Sequence, residues 1–284
     1  MRDPIPDSHL VIAAIALQWF SLNDCMDGMR AKRLKCGSPL GRVVDEAIDQ
    51  MVYACLGAFI GYMLRVEPGL WVFSIGLVNL PFYAMEIRHY YCKDFIMIVG
   101  DIGPVEVELI YTIILALSGG YFGADSYEKT LAQVTGLSYS WCEGLKMKTL
   151  IAMLTFFLEI IFTYDNVKDS LEKNPKETLR LFIPVFIMVG ISFVSGSLPS
   201  FVSNTCIVYF LYQMVFSILI VRLMMFNMAD MHFPIVHAQF IYLVIPIIAY
   251  KLVGVSAELE VMITYACMVC ALFEFFFTIY RISK

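Results

Sequence analysis

The chain has 284 residues, 60% of them hydrophobic and only 16% charged, with a formal net charge of −5. A soluble domain carries about 25% charged residues, so the composition excludes an ordinary globule with one core and indicates an all-α, polytopic integral membrane protein. It holds no basic domain and no Gly-aromatic repeat, which excludes a nucleic-acid partner.

The start, Met1-Arg-Asp-Pro-Ile-Pro-Asp7, carries acids and prolines and runs straight into an apolar stretch, unlike a cleavable signal peptide. A membrane-spanning helix needs about 20 mostly apolar residues. Nine segments qualify in chain order: 9–29, 44–65, 69–89, 104–122, 146–165, 179–197, 201–225, 237–253 and 259–280. A polar link, Arg88 to Gly103, separates the third and fourth. The longest loop, Gly123 to Glu143, follows the fourth, and a charged loop, Asp165 to Glu177, follows the fifth. The sixth and seventh meet at a tight turn, Gly196-Ser-Leu-Pro-Ser200. With no inserted soluble domain and no internal repeat, residues 1–284 read as a single membrane domain. Of the eight cysteines, Cys55, Cys206, Cys267 and Cys270 sit in apolar segments, where a thiol acts as a small hydrophobe.

Lys and Arg set the expected orientation. With the 30–42 loop in the cytosol, Arg30, Lys32, Arg33, Lys35, Arg42, Arg88 and Lys93 fall on the cytosolic side. Lys168, Lys173, Lys176, Arg180, Arg222, Arg281 and Lys284 join them. Only Arg2, Arg65, Lys129, Lys146, Lys148 and Lys251 fall opposite. The C-terminus is then cytosolic too.

Four acids near that face carry the chemistry. Asp24 and Asp27 are three apart near the end of the first segment, and Asp45 and Asp49 are four apart at the start of the second. Residues so spaced share a helix face. A short loop between two such faces can gather four carboxylates, which cannot all ionise without cations. One or two hard divalent ions, Mg²⁺ or Mn²⁺, satisfy them and keep positions open for phosphate. Gly28 and Gly41 remove side chains where the segments approach each other or a ligand. Ala31 is small for the same purpose, and Lys32, Arg33 and Lys35 offer positive charge at the rim.

The spacing Asp24-x2-Asp27-Gly28-x2-Ala31-Lys32-x8-Gly41-x3-Asp45-x3-Asp49 resembles the signature of the class-I CDP-alcohol phosphatidyltransferases, with Lys32 where Arg is usual. Residues 24–49 carry this signature. Ser38-Pro39-Leu40-Gly41 is similar to the eukaryotic choline and ethanolamine phosphotransferases of that family. Phe82-Tyr83 through Tyr90, Asp101 to Glu108 and Arg222 to His237 resemble later stretches of the same enzymes more weakly. The resemblance implies transfer of phosphocholine or phosphoethanolamine from CDP-choline or CDP-ethanolamine to diacylglycerol, with release of CMP. It implies metal ligation by Asp24, Asp27 and Asp45, completed by Asp49. Gly28, Ala31, Lys32 and Gly41 are the expected substrate-binding residues. The catalytic base is expected among Asp49, Glu86, His89 and Glu106. The resemblance also implies an earlier helix with an Asn/Thr motif, where eight residues precede the motif helix here. The family's His after the third Asp is Glu46, and its third-helix His is replaced by Glu86, with His89 further on. Expected partners are membrane lipid and a second copy of the chain, in the endoplasmic reticulum or Golgi.

Plainer roles stand beside these. His89 lies at a helix end among charges, and Glu106 in a first helical turn complements a helix dipole. Glu86, Glu159 and Glu274 are acids in apolar spans, which point to pairing or function. His232 and His237 read as a solvated link, and His9 as an interfacial anchor. Three rival functions remain: another CDP-alcohol reaction, such as inositol with CDP-diacylglycerol; an inactive, reduced family member; and a cation transporter or channel.

Overall fold

The structure, a computed structural model, describes residues 6–63, 68–93, 103–137 and 139–282. Its long helices are α1 Asp7–Leu34, α2 Pro39–Met63, α3 Pro68–Cys92, α4 Pro104–Leu117, α5 Met147–Lys173, α6 Pro175–Ser195, α7 Thr205–Met228, α8 Ile241–Ile248 and α9 Ala257–Ile282. A π turn at Ser118–Phe122 prolongs α4. A 3-10 turn at Ala238–Phe240 leads into α8 and a π turn at Ala249–Val253 follows it. No strand occurs among the described residues; Thr130 and Lys146 form an isolated antiparallel bridge. The fold is all-α, and six helices among the described residues are long and apolar enough to cross a membrane: Asp7–Leu34, Val105–Phe122, Met147–Lys173, Pro175–Ser195, Thr205–Met228 and Ala257–Ile282. Ala238–Val253 is apolar but shorter. Asp101, and Arg2, Arg65 and Lys284 of the charge count, lie outside the described residues.

Helices outrun their apolar stretches. The expected charged loop Asp165–Glu177 is mostly helix: α5 continues to Lys173, and Asn174 alone separates it from Pro175 at the start of α6. Nothing between Asp165 and Lys173 breaks a helix, whereas the residue before a proline is pushed out of helical geometry. The Asn174 side chain accepts the Glu177 N–H at 3.4 Å, capping α6. Likewise α1 passes residue 29 and ends at Leu34. Lys35 takes the left-handed conformation, φ 51°, and the Cys36 N–H reaches the Ala31 carbonyl at 3.1 Å. This is a Schellman-type ending with lysine in the usual glycine position. The long loop contains short helical turns at Ala124–Glu128, Leu131–Thr135 and Ser140–Gly144.

The chain divides into two compact units. The first comprises residues 1–37, 63–65 and 97–162. Here α1 buries Leu10, Ala14, Leu17 and Ser21, a stripe spaced by four, three and four along one face. That stripe packs on α4 and its π turn. Gly119 allows the close approach: a Cβ there would lie 2.6 Å from the Asp7 carbonyl and 2.8 Å from Leu10 Cβ. Glu128 accepts from Lys148 Nζ at 2.6 Å and from Lys146 Nζ at 3.1 Å, tying the loop to the start of α5.

The second unit comprises residues 38–62, 66–96 and 163–284. Its centre is α7, buried almost all round and packed by α3 and α9, while α6 packs on α3 and α8 on α9. Tyr83 stands 5.9 Å, centroid to centroid, from both Phe182 and Phe216, and donates its hydroxyl to the Leu181 carbonyl at 2.7 Å. Several buried polar groups pair across its helices. Asn79 donates to Gln213 at 2.9 Å, and Gln213 to the Tyr209 hydroxyl at 2.9 Å. The fully buried Glu260 accepts from Ser200 N and Oγ and from Thr264 Oγ1, at 2.8, 2.6 and 2.9 Å.

Candidate functional site

The signature falls on two helices in two units. On α1, Asp24 is half-buried, Asp27, Gly28 and Lys32 are exposed, and Ala31 is half-buried. A Cβ at Gly28 would meet nothing within 4 Å, so open space lies beside this turn. Because α1 continues through the signature, Gly28, Ala31 and Lys32 are helical positions rather than loop.

On α2, Ser38 caps the helix. Its hydroxyl accepts the Gly41 N–H at 3.0 Å, and Pro39 occupies the first helical position, where its missing donor costs nothing. The Ser-Pro-Leu-Gly run therefore sets the start of the helix that carries Asp45 and Asp49. Those two, one turn apart, bring carboxylate oxygens within 4.8 Å of each other. Two like charges that close favour a cation between them. The donor set is carboxylate oxygen only, which suits a hard divalent ion and not a thiolate-seeking one.

Beside the aspartates, the second unit assembles a polar network from three helices. Arg42 of α2 donates from Nη2 to Glu86 Oε1 of α3 at 2.6 Å. Its Nε lies 3.9 Å from Glu46 Oε1, and its Nη1 stands 3.1 Å from both ring nitrogens of His89. Asn227, at the end of α7, contacts His89 Nδ1 at 2.6 Å, while its Oδ1 accepts from Lys93 Nζ at 3.0 Å. The lysine can only donate, so it fixes the Asn227 amide with Nδ2 toward the imidazole. The His89 ring thus stands between two donors, the Asn227 amide and the Arg42 guanidinium. Glu86 is fully buried and Glu46 nearly so.

Glu106 is placed differently. It is exposed in the first turn of α4, and its carboxylate accepts the Gly103 N–H at 2.7 Å, closing the helix end. Arg88, next to His89, turns away to Asp169 Oδ2 at 2.6 Å and so anchors α3 to the end of α5. Glu274 accepts from Gln239 and Tyr242 at 2.6 and 2.7 Å. The sequence reading passed over Arg42, Lys93 and Asn227 as site residues. The available signal was Glu86 itself, a buried acid that needed a cation, with Arg42 inside the signature as its partner.

Comparison with known proteins adds the remaining facts. The family model described as CDP-alcohol phosphatidyltransferase matches residues 4–170. An uncharacterized CDP-alcohol phosphatidyltransferase class-I family protein of Dictyostelium discoideum is 32% identical over 104 residues, 36% of this chain and 24% of that protein. Cholinephosphotransferase 1 of Gallus gallus is 25% identical over 207 residues, 70% of this chain and 60% of that protein. Its Homo sapiens counterpart is 24% identical over 158 residues, 55% of this chain and 36% of that protein. The chain thus matches a quarter to three-fifths of the length of these relatives.

Proposed function

The chain belongs to the CDP-alcohol phosphatidyltransferase family, and from that premise we propose that it transfers phosphocholine or phosphoethanolamine from a CDP-alcohol to diacylglycerol. The observation that supports this most is the spaced set of four aspartates and two glycines within the matched region, with Asp45 and Asp49 oxygens within 4.8 Å. The two acid pairs stand at matched distances from the link that joins their helices. Asp27 is seven residues before the end of α1 and Asp45 six after the start of α2; Asp24 and Asp49 are each ten away. At a rise of about 1.5 Å per residue, both pairs lie within roughly 9–15 Å of the link along the helices. On this reading Asp24, Asp27, Asp45 and Asp49 serve one metal centre.

Enzymes of this family use divalent metal. When bound, Mg²⁺ or Mn²⁺ would neutralise the CDP pyrophosphate and ease departure of CMP. The acceptor hydroxyl oxygen forms a bond to the distal phosphorus, the bond from that phosphorus to the CMP oxygen breaks, and CMP leaves. Asp49 takes the hydroxyl proton, from a position one turn beyond Asp45. Glu86 and His89 act behind it: each engages Arg42, which leads into the ligand-bearing turn of α2. Glu106 holds the start of α4. Gly28 and Ala31 give the nucleotide room, Gly41 keeps the start of α2 open, and Lys32 meets phosphate. The reaction takes place on a membrane protein, at a face we assign to the cytosol of the endoplasmic reticulum or Golgi.

The test is release of CMP and formation of phospholipid by purified protein with radiolabelled CDP-choline or CDP-ethanolamine and diacylglycerol. Product from wild type and its near absence in Asp45→Asn supports the reading. Equal product from the two sinks it.

A further inference from the structure

Helix α1 carries a second face that the signature does not use. Its buried stripe, Leu10, Ala14, Leu17 and Ser21, continues by the same three- and four-residue steps through Asp24, Gly28 and Ala31. Ile15, Trp19, Leu22, Met26, Arg30 and Arg33 form another line, again three or four apart, and all six are exposed. At about 100° per residue, Met26 stands roughly 200° round the helix from Asp24, so the two lines lie on opposite sides. Met26, Met29, Arg30, Arg33 and Leu34 line an open groove of about 460 Å³ at the polar end of this second line.

The order of side chains along this line matches a phospholipid. Arg30 is eleven residues beyond Trp19, a rise of about 16 Å, and half the hydrocarbon core of a bilayer is about 15 Å. An acyl chain can therefore lie along Met26, Leu22 and Trp19 with its phosphate at Arg30 and Arg33. Those two guanidiniums stand one turn apart on the helix, and among the described residues neither makes an ion pair or a side-chain hydrogen bond. Asp27, three residues before Arg30, does not pair with it. Guanidinium forks fit phosphate oxygens in pairs. Two uncompensated cations favour a headgroup of net negative charge, whereas the ammonium of a zwitterionic lipid would be repelled by them.

We propose that this face of α1 binds one anionic phospholipid from the leaflet beside the signature. Arg30 and Arg33 take its phosphate, and Met26, Leu22 and Trp19 carry an acyl chain. The site lies on the side of α1 away from Gly28 and Ala31, so it is separate from the metal face and does not depend on the reaction proposed above. Anchored there, α1 keeps the turn with Asp24 and Asp27 near the level of the lipid phosphates.

Trp19 sits on this face and reports its neighbours. The experiment uses the purified full chain with Trp71→Phe and Trp141→Phe, which leaves Trp19 alone of three tryptophans. The protein is reconstituted in phosphatidylcholine bilayers containing dibrominated phosphatidylserine, phosphatidic acid or phosphatidylcholine, and quenching of Trp19 gives their relative affinities. At about fivefold per guanidinium, both anionic lipids should be preferred over phosphatidylcholine by roughly thirtyfold. Arg30→Gln or Arg33→Gln should reduce that to about fivefold, and the double variant should abolish it. Lys35→Gln, two residues beyond Arg33 and off the line, should keep the full preference. Equal quenching by the three lipids, an undiminished preference in the double variant, or an equal loss in Lys35→Gln overturns the inference. Trp19 shielded from every brominated lipid also overturns it, since a protein surface, such as a second copy of the chain, would then cover this face. The lipid series with both arginines present decides the matter if a variant fails to fold.

Discussion

Arg42→Ala should destabilise the protein through Glu86. The guanidinium is the cation 2.6 Å from a carboxylate that is fully buried, and it also contacts His89. Removing one partner of a buried pair costs about 3–5 kcal/mol, because the remaining charge is left without compensation. The Arg42 side chain is 27% exposed, so water can reach part of the gap and the lower end, about 3 kcal/mol, applies. At roughly 2–4 °C per kcal/mol for chains of 150–250 residues, the thermal midpoint should fall by roughly 6–12 °C. The assay is thermal unfolding of detergent-solubilised protein, followed by labelling of the buried Cys267 in the same unit with a thiol-reactive dye. Glu86→Gln removes the stranded charge, so the double variant should recover a coupling energy of about 2 kcal/mol relative to the sum of the singles. Additive losses, or an Arg42→Ala midpoint within a degree of wild type, would refute the reasoning.

Two further outcomes follow from local geometry. Gly119→Ala forces a Cβ against the Asp7 carbonyl and Leu10, so it should cost about 1–3 kcal/mol in thermal stability. Gly120→Ala, with nothing within 4 Å of its Cβ, should stay within about 0.5 kcal/mol of wild type; similar losses from both would contradict the packing of α1 on α4. Glu128 has its pKa lowered from 4.5, chiefly by the hydrogen bond from Lys148 and further by Lys146, against the opposing effect of burial. A depressed carboxylate stabilises the fold above the unfolded pKa and loses that contribution as pH falls through the folded value. A midpoint series from pH 7 to pH 3 should therefore show Glu128→Gln less stable by roughly half a kcal/mol at neutral pH and converging with wild type below pH 4.5. A gap that persists or widens in acid would count against it.

The hydrophobic pattern located the helices but not their ends. Apolar windows report where lipid-compatible residues run, whereas α1 and α5 continue through Arg30-Ala-Lys-Arg33 and Asp165 to Lys173, all tolerated in a helix. Local stop signals settle the ends: left-handed Lys35 after α1, and Pro175 after Asn174. The aspartate pairs were legible because their chemistry lies in spacing along one helix. The Arg42, Glu86, His89 and Asn227 network was not. Its members pair across separations of 44 to 138 residues, and no local pattern records such pairings. Glu106, which the sequence places in a first helical turn, accepts the Gly103 N–H at that helix start.

The central claim is that carboxylates of α1 and α2 hold a divalent ion that CMP release requires. Its most direct test is CMP release by purified wild-type protein as Mg²⁺ is titrated back after chelation, alongside Asp45→Asn and Asp49→Asn. The account predicts no release without metal, full recovery for wild type, and at least about a hundredfold loss in both variants at saturating Mg²⁺, in line with removal of a group that stabilises transition-state charge. Metal-independent release, or variants that match wild type across the titration, would contradict it.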